Sequence, residues 1–484
     1  MKKAARYIAA ILATIQLSAI VSCGENGTRT PETSAGESDA TTTAAETANP
    51  LDDDVPALDF GGKELHVRSV TYETGSYLTL FDVEEQTGDV VFDTLYKRNR
   101  LIEDRFNMKF VCDEASIGEN TSLLKSLVMA GDASYDLIQC INRDAFSAGL
   151  DGYLMPLESL TYLDLSKPYY SHDINEQLCI NGKQLFAYSD ECFQMFESAL
   201  ILTFNKRMTD DFGLTSPYEL VRDGKWTYDR FGEYIRAGVS DLNGDGEYKR
   251  NEDRFGVATN IDFWFPNFWI SAGELSVLNN DGTLVFNAPG NEKFVDTLTY
   301  CVSLMSENGS VNIVDHAVRS DVPLTFANNM AYMACTTLGR LGFLSDMKDD
   351  FGVLTFPKYD EVQEKYLTRV IDGWLHVVPS VSADPEFTSA IMEALASETA
   401  KSVFPEYYNK LLTQKTLRDE ESIEMMELIR ENRVMDLGDV PFFEDVRNKY
   451  TARIQSKKTD IESFSVSLKE KVDKKLADVM EKLS

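Results

Sequence analysis

Histidine and tryptophan are both scarce, at four each in 484 residues, and the histidines are too scattered for a histidine-rich metal centre. His66, His172, His316 and His376 have no serine or cysteine beside them in a triad-like setting, and there is no GxSxG elbow, HExxH, Walker loop or GxGxxG. Positive charge is also thin. Against 79 acidic side chains stand 47 basic ones, a net charge of −32, which leaves no basic stripe for a phosphate backbone and excludes nucleic acid as a partner. A glycoside hydrolase needs only two carboxylates, which this composition permits, but the eight regular strand–helix units of a barrel are missing. Cysteine is limited to seven, an odd number with no CxxC pair and no zinc spacing. What is present is apolar mass: 43% hydrophobic and 11% aromatic residues can fill large cores, and the length suits roughly two to four domain-sized units.

The N-terminus reads as an address. Lys2, Lys3 and Arg6 precede the charge-free run Tyr7 to Val21, whose fifteen residues fall short of the ~20 that span a bilayer, so the pattern is that of an export signal. Ile20-Val21-Ser22-Cys23-Gly24 resembles a bacterial lipobox, which makes Cys23 the expected lipidation site and accounts for the odd cysteine. The expected location is then the outer face of the bacterial cell membrane, held by acyl chains worth ~0.8 kcal/mol per buried methylene. From Gly24 to Pro50 no Val, Ile, Leu, Met, Phe, Trp or Tyr occurs, so a disordered tether is expected over 24–56 and a folded body from about Ala57. Export permits disulfides among Cys112, Cys140, Cys179, Cys192, Cys301 and Cys335, but their spacing reads as small buried hydrophobes.

In the body, short apolar runs alternate with helical patterns. Runs around Leu65, Phe110 and Leu137 are separated by helix-period stretches at Phe92–Phe106 and Leu123–Met129. A second set comprises Leu200–Phe204, Trp226–Val239, Phe255–Ala258 and Phe294–Met305. Strand–helix alternation predicts an α/β fold with largely parallel sheets. Further strands are expected at Met330–Cys335, Gly352–Leu354 and Leu375–Val378, a helix around Phe387–Leu395, and a long C-terminal helix striped by Phe464, Leu468, Val472, Leu476, Val479 and Leu483.

The sharpest chemical motif is Asp241 to Glu252, which matches D-x-[DN]-x-[DN]-G-x₅-E at every fixed position. Ca²⁺ takes six to eight oxygens, and Asp241, Asn243, Asp245, the Glu247 carbonyl and a bidentate Glu252 supply them, with Gly246 for the turn. Lys249 at the ninth position cannot ligate. A helix precedes the loop and a strand follows it, so the expectation is one structural calcium site, not a paired sensor.

Several segments, in consistent order from about Phe60 onward, resemble the extracellular solute-binding proteins of bacterial ABC importers, of the maltose- and oligosaccharide-binding type. They are Arg98–Arg100 with Asn107–Phe110, Gly131–Leu137, Asn181–Phe186, Phe204–Lys206, Asp223–Thr227, the Asp241 loop before Arg254–Gly256, Phe351–Leu354 leading to Pro357–Asp360, and Arg418–Ser422. The resemblance implies a periplasmic-binding-protein-like type II fold: two α/β lobes, hinge crossings and a ligand cleft between them. The first lobe is expected at 57–189 and 320–356, the second at 190–319 and 357–435, with a helical segment at 436–484. It also implies a monomer that passes a carbohydrate to a membrane permease. Sugar clefts stack pyranose faces on aromatic rings and bond hydroxyls with carboxylates and amides. Trp264 and Trp374, at strand boundaries, are therefore candidate platforms, with Trp269 beside the first. Tyr188, Asp190 and Glu191 fall near the expected crossing between lobes and are candidate hydroxyl partners. The competing readings are a calcium-stabilised surface adhesion or scaffold lipoprotein and a secreted glycoside hydrolase.

Overall fold

A computed structural model describes residues 49–484 apart from 72–80, 315–317, 319, 372, 414–418 and 440–444. The lipobox with Cys23 and most of the tether lie outside the described residues, as does His316. The tether ends earlier than its composition suggests. Residues 49–56 lie on the body: Val55 is buried, Asp53 holds Arg105 through two bonds of 2.6 and 2.7 Å, and Ser397 donates to the Leu51 carbonyl.

The first sheet has the order β12-β3-β1-β2. β1 (Lys63–Val70) runs parallel to β2 (Met108–Ala115), with Val67 opposite Cys112, and parallel to β3 (Leu137–Ile141) on its other side. α1 (Val90–Phe106) starts because the Asp89 carboxylate accepts from the Val91 and Phe92 amides, and it stops at Asn107, whose φ of 47° is the left-handed turn asparagine tolerates. α2 (Ile117–Ala130), α3 (Asn142–Leu150) and α4 (His172–Leu178) complete the first pass through this lobe.

The second sheet has the order β10-β4-β9-β5-β8. β4 (Leu200–Asn205) pairs antiparallel with β9 (Ala331–Thr337) and β10 (Phe351–Leu354), while β5 (Phe255–Thr259) lies parallel to β8 (Val311–Ile313) and β9. Around it lie α5 (Lys206–Asp211), α6 (Pro217–Arg222), α7 (Tyr228–Gly238), α8 (Ile261–Ser271), α9 (Glu292–Ser306), α10 (Asp321–Ala327) and the hairpin β6 (Val277–Asn280) to β7 (Thr283–Phe286).

This topology corrects the expected lobe boundaries. The strands at 331–337 and 351–354 belong to the second sheet, with Met333 opposite Phe204 and Phe351 opposite Asn205. The strand that returns to the first sheet is β12 (Trp374–Val377), antiparallel to β3. α11 (Pro385–Glu398) and α12 (Phe404–Thr413) then pack on α1 in the first lobe, so 357–435 does not lie wholly in the second. A short apolar run carries no mark of the sheet it joins, because periodicity reports burial and not partners. α13 (Glu420–Glu431) packs on β10, and α14 (Val446–Gln455) and α15 (Ile461–Lys482) pack on α8, α9 and β7, so the C-terminal helices are part of the second lobe.

Two described crossings join the lobes. Ala199 bridges Val370 antiparallel, and the Ile371 amide reaches the Ser198 carbonyl. β11 (Thr368–Arg369) also lies parallel to β13 (Arg433–Val434). At this junction Arg369 is buried, and its guanidinium grips both Asp439 oxygens at 2.6 and 2.7 Å and donates to the Asp262 carbonyl at 2.6 Å. Truncating one partner leaves the other charge buried and unpaired. Arg369→Leu is expected to cost about 3–5 kcal/mol in urea unfolding, with Asp439→Leu restoring part of it in the double variant; a single-variant loss under ~1 kcal/mol would count against this role.

Candidate functional site

In open α/β sheets ligands sit outside the carboxyl ends of the strands. In the first lobe β3 ends at Ile141, and Asn142 opens α3; its amide donates to the Gly373 carbonyl at 3.0 Å and its Oδ1 accepts from the Arg143 amide at 2.8 Å. In the second, β5 ends at Thr259 and Asn260 caps α8, its Oδ1 accepting from the Phe263 amide at 2.9 Å. The two lobes thus repeat one construction: strand, asparagine, helix. Both asparagines are fully buried, and both have an Nδ2 with no hydrogen-bond partner. An unmet buried donor costs about 1–3 kcal/mol.

These ends flank the hinge. Trp374 stands opposite Ile141 at the start of β12 and is partly exposed, five residues beyond Arg369, whose guanidinium holds the Asp262 carbonyl at the start of α8. Arg340 lies over the Phe263 ring at 4.6 Å from the second lobe.

The other expected ligand residues are placed differently. Trp264 is not on a loop: Asn260 caps a helix there, and the indole is fully buried among Phe231, Phe268 and Phe356, with centroids at 5.9, 5.0 and 6.2 Å. Trp269 is equally buried, and its Nε1 donates to Asp436 at 2.7 Å, a carboxylate that also accepts from Ser276 and Gly438. Both are packing residues, because α8 is buried on every face from Phe263 to Ser271. Tyr188 is buried in the first lobe, its backbone bonded to Asn175 and Ser171 and its ring so close to Gly373 that a Cβ there would lie 2.2 Å from Cε1.

Asp190 and Glu191 sit on the short turn before the first crossing. Burial pushes the Asp190 carboxyl up to about 6 against the pull of Arg433 and Arg430. Burial also acts on Glu191, but His376, with Nδ1 3.1 Å away, and Arg98 outweigh it and bring its carboxyl below the ordinary value. Glu191, His376, Tyr170, Ser189 and Cys192 line a cavity of about 30 Å³, room for a water or two and not for a sugar. Burial drives the Cys192 thiol far up, so no thiolate is available there. All six cysteines of the body are free, four of them buried.

The Asp241–Glu252 loop is exposed and closed at its base by the Ser240–Arg254 bridge. The Asp241 carboxylate accepts from Gly244 and Gly246 at 2.6 and 2.8 Å, and Asp253 staples the ends by accepting from Leu242 and Lys249. Asn243 Nδ2 lies 3.3 Å from both Asp245 and Glu252 oxygens, so three ligand-type side chains meet around one amide. Lys249 pairs with Glu247 at 2.6 Å and Asp245 at 3.1 Å. Among the described residues no three His, Cys, Asp or Glu side chains gather tightly enough to hold a metal as they stand.

No family model and no curated protein matches the chain. Solved structures do. A cyclo/maltodextrin-binding protein complexed with maltotetraose is 15% identical, with a TM-score of 0.57, covering 87% of this chain and 97% of its own. An ABC substrate-binding protein from Listeria monocytogenes in complex with cycloalternan is 14% identical, with a TM-score of 0.53 and coverage of 86% and 99%. UgpB from Mycobacterium tuberculosis in complex with glycerophosphocholine is 14% identical at a TM-score of 0.53, covering 87% and 99%. The chain has the periplasmic-binding-protein fold. The asparagines escaped sequence reasoning because an Asn at the start of a helix, after an apolar run, signals a helix start and nothing more.

Trp264→Ala should lower stability by about 3–5 kcal/mol, as large core truncations do, while Trp374→Ala should stay under ~1 kcal/mol. Urea unfolding of both variants checks this; equal losses would remove the distinction between core and cleft tryptophan.

Proposed function

We propose that the chain is a family 1 extracellular solute-binding lipoprotein of an ABC importer, which captures a carbohydrate between its lobes and delivers it to the membrane permease. The reading rests above all on the twin asparagines: each lobe offers one buried carboxamide with a spare donor at the end of a central strand, and hydroxyl oxygens are the acceptors that would satisfy them. Trp374 supplies an aromatic face beside Asn142. A ligand bridging both amides binds the closed arrangement better than the open one, which is the differential affinity that closure needs. Cys23 would carry the lipid and residues 24–48 the tether, keeping a monomeric receptor near its permease. The similar solved structures are binding proteins, and the suppressed Cys192 thiol argues against nucleophilic catalysis at its grouping with His376 and Glu191.

Calorimetry with maltotetraose, cycloalternan and glycerophosphocholine tests the ligand class. Saturable heat with a saccharide is expected, and Asn142→Asp and Asn260→Asp, which keep the capping oxygen and remove the donor, should each weaken it about tenfold. Binding of glycerophosphocholine alone would move the ligand class away from carbohydrate.

We further propose that Asp241, Asn243, Asp245, the Glu247 carbonyl and Glu252 hold a structural Ca²⁺. The donor set suits a hard cation, and the Asn243 amide and Lys249 ammonium now sit against the oxygens that would face it. Calcium at about a hundredfold over Kd should stabilise chelator-treated protein by ~2.7 kcal/mol, and Glu252→Gln should abolish the rise in melting temperature. No rise in the wild type would refute the site.

A further inference from the structure

The lobes also touch beside their crossings, where α4 packs on both β13 and β6. The β6–β7 hairpin of the second lobe ends in Asp281-Gly282, with φ of 49° and 88°, and the first lobe presents Asn181-Gly182, with φ of 52° and 72°. Both have the left-handed pairs of a tight hairpin turn, and they meet tip to tip: the Asn181 amide donates to the Gly282 carbonyl at 3.1 Å, and a Cβ on Gly282 would come within 2.9 Å of the Asn181 nitrogen. Beside them, the Asn279 carboxamide points its Nδ2 at the Glu176, Gln177 and Cys179 carbonyls, at 3.2, 3.0 and 2.8 Å. These carbonyls lie at the end of α4, where Glu176 already accepts from the Cys179 amide, so the second lobe adds a cap to a helix of the first. The chain's end joins in. Asn181 Nδ2 donates to the Leu483 carbonyl, Lys183 to the Ser484 carbonyl at 2.7 Å, and Lys482 pairs with Asp151 at 3.2 Å.

The first-lobe side of this contact is fixed to its own lobe: the Leu157 amide donates to the Gln184 carbonyl, and the Ser171 amide to the Tyr188 carbonyl. The second-lobe side is fixed to its own by Asp436, which accepts from Ser276 and Val277 at the root of the hairpin. A rotation that moved these two sides apart would break these bonds. They are polar, partly exposed and individually weak, so they can be remade.

We propose that the Asn279 hairpin and the C-terminus form an interlobe latch that holds the closed arrangement and sets how readily the lobes part. Its effect on capture rests on the transport role proposed above; its effect on lobe geometry does not. Asn279 also shapes its own hairpin, since its Oδ1 accepts from the Gly282 amide at 2.8 Å. Asn279→Asp keeps that acceptor and removes the donor. Small-angle scattering of the ligand-free protein should then show a larger radius of gyration than wild type, with faster amide exchange over 176–183. Lys183→Ala, an exposed change on the same contact, should shift both readouts the same way by less. If a saccharide binds, its dissociation should quicken about five- to tenfold in Asn279→Asp. A fall in melting temperature with unchanged radius and exchange would make the contact mere packing and overturn the latch. A failure of every saccharide to bind, with the radius still rising, would fault the transport reading and leave the latch standing.

Discussion

The junction of the two lobes is built around the buried Arg369. A guanidinium withdrawn from water is tolerable only when its donors are met, and here a carboxylate takes two of them and the Asp262 carbonyl a third. That single side chain binds the returning crossing, the start of α8 and the segment after β13 into one block. Because the three lie in different parts of the chain, the pair does little for any local element. What it fixes is the angle at which the second lobe meets the hinge. Asp436, three residues before Asp439, extends the block by gathering Trp269, Ser276, Val277 and Gly438. The root of the β6–β7 hairpin, at Ser276 and Val277, is held by the same block.

The elements themselves were largely legible from sequence. β4, β5 and α7 lie within a residue or two of their apolar patterns, and the C-terminal stripe from Leu468 to Val479 is buried along α15. Partnering was not legible. β9 and β10 look, as sequence, like any other short apolar runs, and nothing in Tyr332 or Val353 tells which sheet will take them. The resemblance to a known family supplied the two-lobed plan but not the order of returns, and only strand register shows that β12 makes the return.

The candidate site shows the same division more sharply. Trp264 was attractive because large aromatics at strand ends make good platforms, yet an N-capping asparagine turned its loop into a helix and the surrounding aromatics swallowed it. Asp190 and Glu191 do lie near a crossing, but the turn carrying them faces inward, where Arg433 and His376 meet them. In the Asp241–Glu252 loop the motif residues Asp241 and Asp245 fold the turn on its own backbone amides, because a twelve-residue loop is a local object whose folding needs little from the rest of the chain. The asparagines are the reverse case. Their meaning lies in a repeated position across two lobes and in a donor left unmet, neither of which a linear pattern carries.

An unmet donor and a breakable latch pull in opposite directions, and that opposition is what a capture device requires. On the proposed reading, the two buried amides that each lack an acceptor, at about 1–3 kcal/mol apiece, would favour opening while no ligand is bound. Against this stand the bonds of Asn279, Asn181 and Lys183, which favour staying shut. A ligand that supplies the two missing acceptors removes the opening term and leaves the latch unopposed. Closure is then driven by satisfying polar groups already in place, without any rearrangement of the cores that hold them.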